Sequence, residues 1–170
     1  MSEELSCFKA YDVRGRVPDQ LNKNIAYRIG RAYGQFLSPR KVVVGYDIRL
    51  TSQELCTALI KGLIDSNIDV VDIGLCGTEE IYFATSHLDF DGGIVVTASH
   101  NPNGWTGIKM GNEKTLTFGP ELINQLKKII EEKDEISDKP GSYTFNNINE
   151  EYVSDLISGY QFKRKIKAVV

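Results

Sequence analysis

Residues 92–110, GGIVVTASHNPNGWTGIKM, decide the fold and raise the question of function together. Ile94-Val95-Val96 is an apolar run without polar alternation, which reads as a strand buried on both faces, as central parallel strands usually are. Further on, Lys109 alternates with Ile108 and Met110. That spacing predicts a second strand, from which the Lys109 side chain leaves the face its neighbours bury. Between the two lies a polar segment rich in Asn and Gly, with Ser99 beside His100.

Upstream, the same kind of signal recurs in alternation with helices. LNKNIAYRIGRAYGQFL sets Ile25, Ile29, Ala32, Tyr33 and Phe36 on one helical stripe. Ser38-Pro39 ends that helix, because the residue before proline is pushed out of the right-handed α region. KVVVGYD reads as a strand buried on both faces. TSQELCTALIKGLIDS follows as an amphipathic helix, with Thr51 and Glu54 in capping-box spacing. VVDIGL is another strand, and GTEEIYFATSHL a short helix capped by Thr78. After the opening stretch, GPELINQLKKIIEEKD is a helix with Pro120 at its first position. Strand and helix in alternation predict a three-layer α/β/α domain around a mainly parallel, mixed sheet. Sites in such sheets lie at the carboxyl ends of strands. GYDIR closes one buried strand and TASHNP another, so two polar loops should converge on one edge.

Composition removes whole classes of function. The chain has 170 residues, 41% hydrophobic and 25% charged, enough for one compact domain with a real core. A net charge of −3 gives no general attraction to nucleic acid or to an acidic membrane. No stretch approaches the roughly 20 apolar residues of a membrane helix, and MSEELSCFKAYD lacks the pattern of a signal peptide. Cys7, Cys56 and Cys76 form no CxxC or zinc pattern, so they read as reduced thiols of a soluble, cytoplasmic protein. The tail, SDKPGSYTFNNINEEYVSDLISGYQ, mixes loop signals with an amphipathic stretch from Tyr152 to Ile157. FKRKIKAVV then reads as the start of a further domain. The expected division is residues 1–160 as one domain and 161–170 as the beginning of a second.

Ser99 is the first candidate for chemistry. A serine hydroxyl needs a base or an activating environment to act as a nucleophile. In an extended segment His100 points the opposite way from Ser99, which argues against a Ser-His dyad, and no G-x-S-x-G elbow surrounds it. A phosphorylated serine is another matter, since it adds charge and acceptor oxygens that the turn at Asn101, His100 and Lys109 would suit. Arg14 sits beside Gly15 with Tyr11 before it, and Arg49, after a strand end, could reach a phosphate by paired hydrogen bonds. Arg14 could be a solvated arginine in a turn, and Arg49 could equally pair with Asp47 or cap the next element. His87 reads as a helix-end histidine and Trp105 as core or rim. On the residues alone, a reactive or modified serine and a plain polar turn both stay open.

FKAYDVRG, VVVGYDIRLTS and GGIVVTASHNPNGWTGIKM, in that order, resemble the first domain of the α-D-phosphohexomutases. With GTEEIYFATSHL the resemblance is closest to the bacterial phosphomannomutases, and it covers Cys7 to Glu132. The resemblance implies a four-domain cytoplasmic isomerase that moves phosphate between the 6- and 1-positions of a hexose through a hexose 1,6-bisphosphate. By position, Ser99 would be the phosphoserine, with His100 and Lys109 around it as catalytic residues. Tyr11, Arg14, Arg49 and Asn101 would contact the hexose phosphate. Mg²⁺ would be held by an oxygen of phosphorylated Ser99 and by three aspartates of a D-G-D-x-D-R loop in the family's second domain, which these 170 residues do not contain. The partners implied are a hexose phosphate and the remaining domains of the same chain, and the 170 residues alone are expected to turn over nothing. Glucose or glucosamine phosphate as substrate, a non-catalytic phosphate-binding module, and a serine hydrolase are the alternatives.

Overall fold

The computed structural model describes residues 5–115, 118–132, 139–161, 164 and 167. Along the chain run β1 (Val13–Arg16), α1 (Lys23–Leu37), β2 (Lys41–Tyr46), α2 (Ser52–Ile64), β3 (Asp69–Leu75) and α3 (Thr78–His87). They are followed by β4 (Gly92–Val96), β5 (Trp105–Asn112), α4 (Pro120–Glu131), β6 (Tyr143–Phe145) and α5 (Asn149–Ser158). The strands form one sheet in the order β1-β5-β4-β2-β3-β6. β4, β2, β3 and β6 are mutually parallel, while β5 is antiparallel to both β4 and β1. The mixed α/β fold expected from the sequence is therefore the fold observed.

Val42, Val43 and Val44 of β2 and all of β4 are buried, because helices cover both faces. On one face α1, α2 and α4 supply Ile25, Ile29, Leu59, Leu63, Ile123 and Leu126 to a core with Val42, Val44, Ile94 and Val96. On the other, Ile81 and Ala84 of α3, with Phe90 and Ile148, cover Val43, Val71, Ile73 and Val95. Tyr33 reaches through the first core to the sheet, where its hydroxyl donates to the Gly111 carbonyl at 2.7 Å. Helices α1 and α2 meet at two glycines. A Cβ on Gly30 would lie 2.3 Å from the Leu59 oxygen, and one on Gly62 would lie 2.1 Å from the Tyr27 oxygen. The two backbones can pack this closely only where no side chain intervenes.

Local details depart from the expected caps. α1 starts at Asn22, whose side chain accepts from the Ile25 amide, and Ser38 leaves the helix through the left-handed region, at φ 48°. Thr51 does not cap α2: its backbone is itself helical, its hydroxyl is 2.9 Å from that of Thr106, and Glu54 pairs with Lys23. Thr78 is the first residue of α3 rather than its cap. Gly77 takes the cap position, and its amide donates to the Glu80 carboxylate at 2.6 Å. Strands β1 and β6 were not anticipated. Apart from residues 164 and 167, the FKRKIKAVV segment lies outside the described residues. Among the described residues no helix is long and apolar enough to cross a membrane.

Candidate active site

Because β2 and β4 are adjacent and parallel, with Tyr46 opposite Val96, the chain leaves both strands at the same edge. Asp47 and Thr97 emerge there side by side, and the Asp47 amide donates to the Val96 carbonyl at 2.9 Å. The antiparallel return brings Gly107 beside Thr97, with backbone hydrogen bonds in both directions. β1 adds Arg14 opposite Gly107. A cleft of about 230 Å³ opens over this edge, with Asp12, Arg14, Ser99, His100, Asn101 and Lys109 among its walls. The two loops that the sequence placed on one edge do converge.

Ser99 is exposed at the rim, in the left-handed region at φ 51°. Its Oγ lies 3.3 Å from His100 Nδ1. The expectation that the two side chains diverge is thereby corrected: β4 ends at Val96, and the turn that follows is not extended, so neighbouring side chains can meet. Lys109 is half-buried between the buried Ile108 and Met110 and reaches the cleft, as its alternation predicted. The Arg14 guanidinium pairs with Asp12 through Nη2, at 3.0 and 3.2 Å from its two carboxylate oxygens. Its Nε is buried and has no hydrogen-bond partner among the described residues.

The other predicted residues take different positions. Tyr11 is 71% exposed and is not part of the cleft wall, although Asp12 beside it is. Asn101 turns back on its own loop, its amide nitrogen and its Nδ2 both donating to the Ala98 carbonyl at 2.9 and 2.8 Å. Arg49 lays its guanidinium on the same loop, Nη2 donating to the Asn101 carbonyl at 2.5 Å and Nη1 to that of Pro102 at 3.2 Å. It pairs with Asp47 only through its backbone amide.

Asp47 is the residue the sequence reading passed over. Oδ2 accepts from the Thr97 hydroxyl at 2.9 Å and the Ala98 amide at 2.8 Å. Oδ1 accepts from the Ser52 hydroxyl at 2.6 Å and the Arg49 amide at 3.1 Å. Burial pushes the carboxyl upward, but these four hydrogen bonds outweigh it and hold Asp47 below the usual carboxylate range. The available signal was an acid one residue past a buried strand, at the edge where sites form.

A model of the domain described as "Phosphoglucomutase/phosphomannomutase, alpha/beta/alpha domain I" matches residues 6–137. The chain belongs to the phosphoglucomutase/phosphomannomutase family. It is 49% identical over 175 residues to a phosphomannomutase of Escherichia coli, covering 98% of this chain and 38% of that one. A phosphomannomutase of Klebsiella pneumoniae is 56% identical over 130 residues, 76% of this chain and 83% of the relative. Among solved structures, a phosphoglucomutase/phosphomannomutase family protein of Burkholderia thailandensis superposes with a TM-score of 0.85 at 35% identity, covering 95% of this chain and 37% of that one. The chain thus spans 38% of the length of the Escherichia coli relative.

The family implies Mg²⁺, and the residues present do not by themselves fit it. No group of three or more His, Cys, Asp or Glu that could hold a metal occurs among the described residues. Around Ser99, Asp47 is saturated by its four donors and Asp12 is paired with Arg14. This chain's own side chains form no preformed cation site there.

Proposed function

We propose that this chain is the phosphoserine-bearing first domain of a cytoplasmic phosphomannomutase, with residues 1–160 as that domain and 161–170 as the start of a second. In the intact enzyme it would interconvert mannose 6-phosphate and mannose 1-phosphate through a hexose 1,6-bisphosphate. The observation that carries this reading is the cleft itself: an exposed Ser99 hydroxyl beside His100, in one pocket with Lys109 and Arg14. The names of the 49% and 56% identical relatives favour mannose over glucose or glucosamine. Three buried cysteines, none of them in a disulfide, suit a reducing compartment.

Phosphoryl transfer asks the protein for positioning and for cancellation of charge. In our reading a hexose hydroxyl oxygen bonds to phosphorus as the Ser99 Oγ–P bond breaks. The proton of the attacking hydroxyl passes to solvent, and the departing Oγ takes one from His100 beside it, which solvent then replaces. Arg14 and Lys109 offset the charge that gathers on the transferring group. The second half-reaction runs the other way, from the bisphosphate's other phosphate back to Ser99. Mg²⁺, when bound, would be held by an oxygen of phosphorylated Ser99 and by carboxylates beyond these 170 residues, and would offset charge on the phosphate.

Ser99→Ala tests the proposal in the intact enzyme. Mutase activity on mannose 1-phosphate should fall by at least about 10³-fold with the fold retained, and mass spectrometry should find the phosphate of the wild-type protein on the Ser99 peptide. Activity that survives the substitution refutes the carrier role. Purified residues 1–170 should bind a hexose phosphate weakly and turn over none, and a clear mutase rate from them would overturn that part.

A further inference from the structure

Resting on the carrier role of Ser99, we infer that Asp47 is a positioning residue for the reaction, acting on Ser99 through the Thr97 hydroxyl. The direction of each hydrogen bond carries the inference. An ionised carboxylate offers about four acceptor sites, and those of Asp47 take the Thr97 and Ser52 hydroxyls and the Ala98 and Arg49 amides. Asp47 therefore has no capacity left for substrate or metal, which rules it out as a catalytic residue in its own right. The Thr97 hydroxyl has a single proton, and it is given to Asp47. Its lone pair is then turned toward the Ser99 amide, which donates to it at 2.9 Å. The result is a one-way relay, from the Ser99 amide to the Thr97 oxygen and from the Thr97 hydroxyl to the Asp47 carboxylate.

What the relay holds is an uncommon backbone. Ser99 sits at φ 51°, which side-chain-bearing residues other than Asn and Asp seldom adopt. Such a conformation persists where its surroundings over-determine it. Here Asp47 grips the entry to the turn through Thr97 and Ala98, while Arg49 grips its exit through the Asn101 and Pro102 carbonyls. Two residues at the end of one strand thus fix both flanks of a turn about fifty positions later, leaving the Ser99 side chain exposed in the cleft.

Thr97→Val and Thr97→Ser provide the test in the intact enzyme, because Val keeps the shape without the hydroxyl and Ser keeps the hydroxyl. Thr97→Val should lower kcat about 10- to 100-fold with KM for the hexose phosphate little changed, as expected for a misplaced reacting group. Thr97→Ser should restore most of it. Asp47→Asn should behave like Thr97→Val, since an amide presents donors to one of the two donor pairs that Asp47 accepts. The double variant should be no worse than the more impaired single one, because both break one relay. Independently of activity, exchange of the Ser99 amide should speed at least about tenfold in Thr97→Val and stay near wild type in Thr97→Ser. Unchanged kcat and unchanged Ser99 exchange in Thr97→Val would overturn the relay, even while Ser99→Ala abolished activity and the carrier role stood. If Asp47→Asn does not fold, the Thr97 pair still decides the matter.

Discussion

Replacing Gly62 by alanine should destabilise the protein, although alanine is the better helix former. In an open helix interior the exchange gains about 1 kcal/mol. Here the added methyl would lie 2.1 Å from the Tyr27 oxygen and 3.0 Å from the Arg31 nitrogen, where ordinary contact begins at 3.4 Å. Both are backbone atoms and cannot swing aside, so the two helices must part by roughly an ångström, at an overpacking cost near the upper end of about 1–3 kcal/mol. The net loss is about 2 kcal/mol, or a fall in Tm of about 4–8 °C for a domain of this size. Gly30 faces the same crossing from the other helix, its Cβ position 2.3 Å from the Leu59 oxygen. One displacement relieves both clashes, so the double variant should cost less than the two singles added together. Gly159 is the internal control: its φ is −84° and a methyl there meets nothing within 4 Å. Gly159→Ala should stabilise by about 0.4–1 kcal/mol. Urea unfolding followed by fluorescence of Trp105, the chain's single tryptophan, reads all four. A Gly62→Ala midpoint at or above wild type refutes the close crossing. The effect should also reach the site, because α2 carries Ser52, whose hydroxyl anchors Asp47.

Tyr33→Phe keeps the ring that stacks on Phe118 but loses the hydroxyl's bond to the Gly111 carbonyl, which β4 still pairs in the sheet, so it should lose about 0.5–1.5 kcal/mol in the same assay. Because Asp47 titrates below its unfolded value, its contribution to stability is fully present above the ordinary carboxylate pKa and is lost as pH falls through the folded value. Unfolding midpoints measured from neutral pH downward should therefore fall less steeply in Asp47→Asn than in wild type, and identical acid limbs would refute the carboxylate's role.

The layered fold was legible because buried parallel strands announce themselves as unbroken apolar runs, as at Val42–Val44 and Ile94–Val96, and the helices between them carry clear stripes. β1 and β6 lacked that signal. β1 has four residues with Arg14 and Arg16 among them, and it becomes a strand only because β5 offers it an edge. β6 has three residues, all exposed, and pairs with β3, so no face is buried to impose alternation. Of the misjudged caps, Thr78 lies one residue inside its helix because Gly77 takes the cap position, while Thr51 has a tertiary cause. A hydroxyl at a helix start has tertiary options, and Thr51 found Thr106, fifty-five positions away. At the site, Ser99, His100, Lys109 and Arg14 were legible as a motif, and the structure gathers them in one cleft. The grip of Arg49 and Asp47 on the Ser99 turn was not, because their partners lie on a loop that only the strand order brings near.

That strand order also sets where the proposed carrier, Ser99, is held. β4 and β2 lie at the centre of the sheet, buried on both faces, and the Ser99 turn leaves the first while its two grips, Asp47 and Arg49, leave the second. Asp12 and Arg14, on the wall of the same cleft, belong to or adjoin β1, an edge strand of four residues. In the proposed reaction one serine must meet two different oxygens of a sugar that turns over between half-reactions. Positional error at the carrier would then count twice, once for each transfer, whereas a binding wall can adjust to each orientation in turn. Anchoring the proposed carrier to the two central strands and the proposed binding arginine to an edge strand is the arrangement that such a reaction favours.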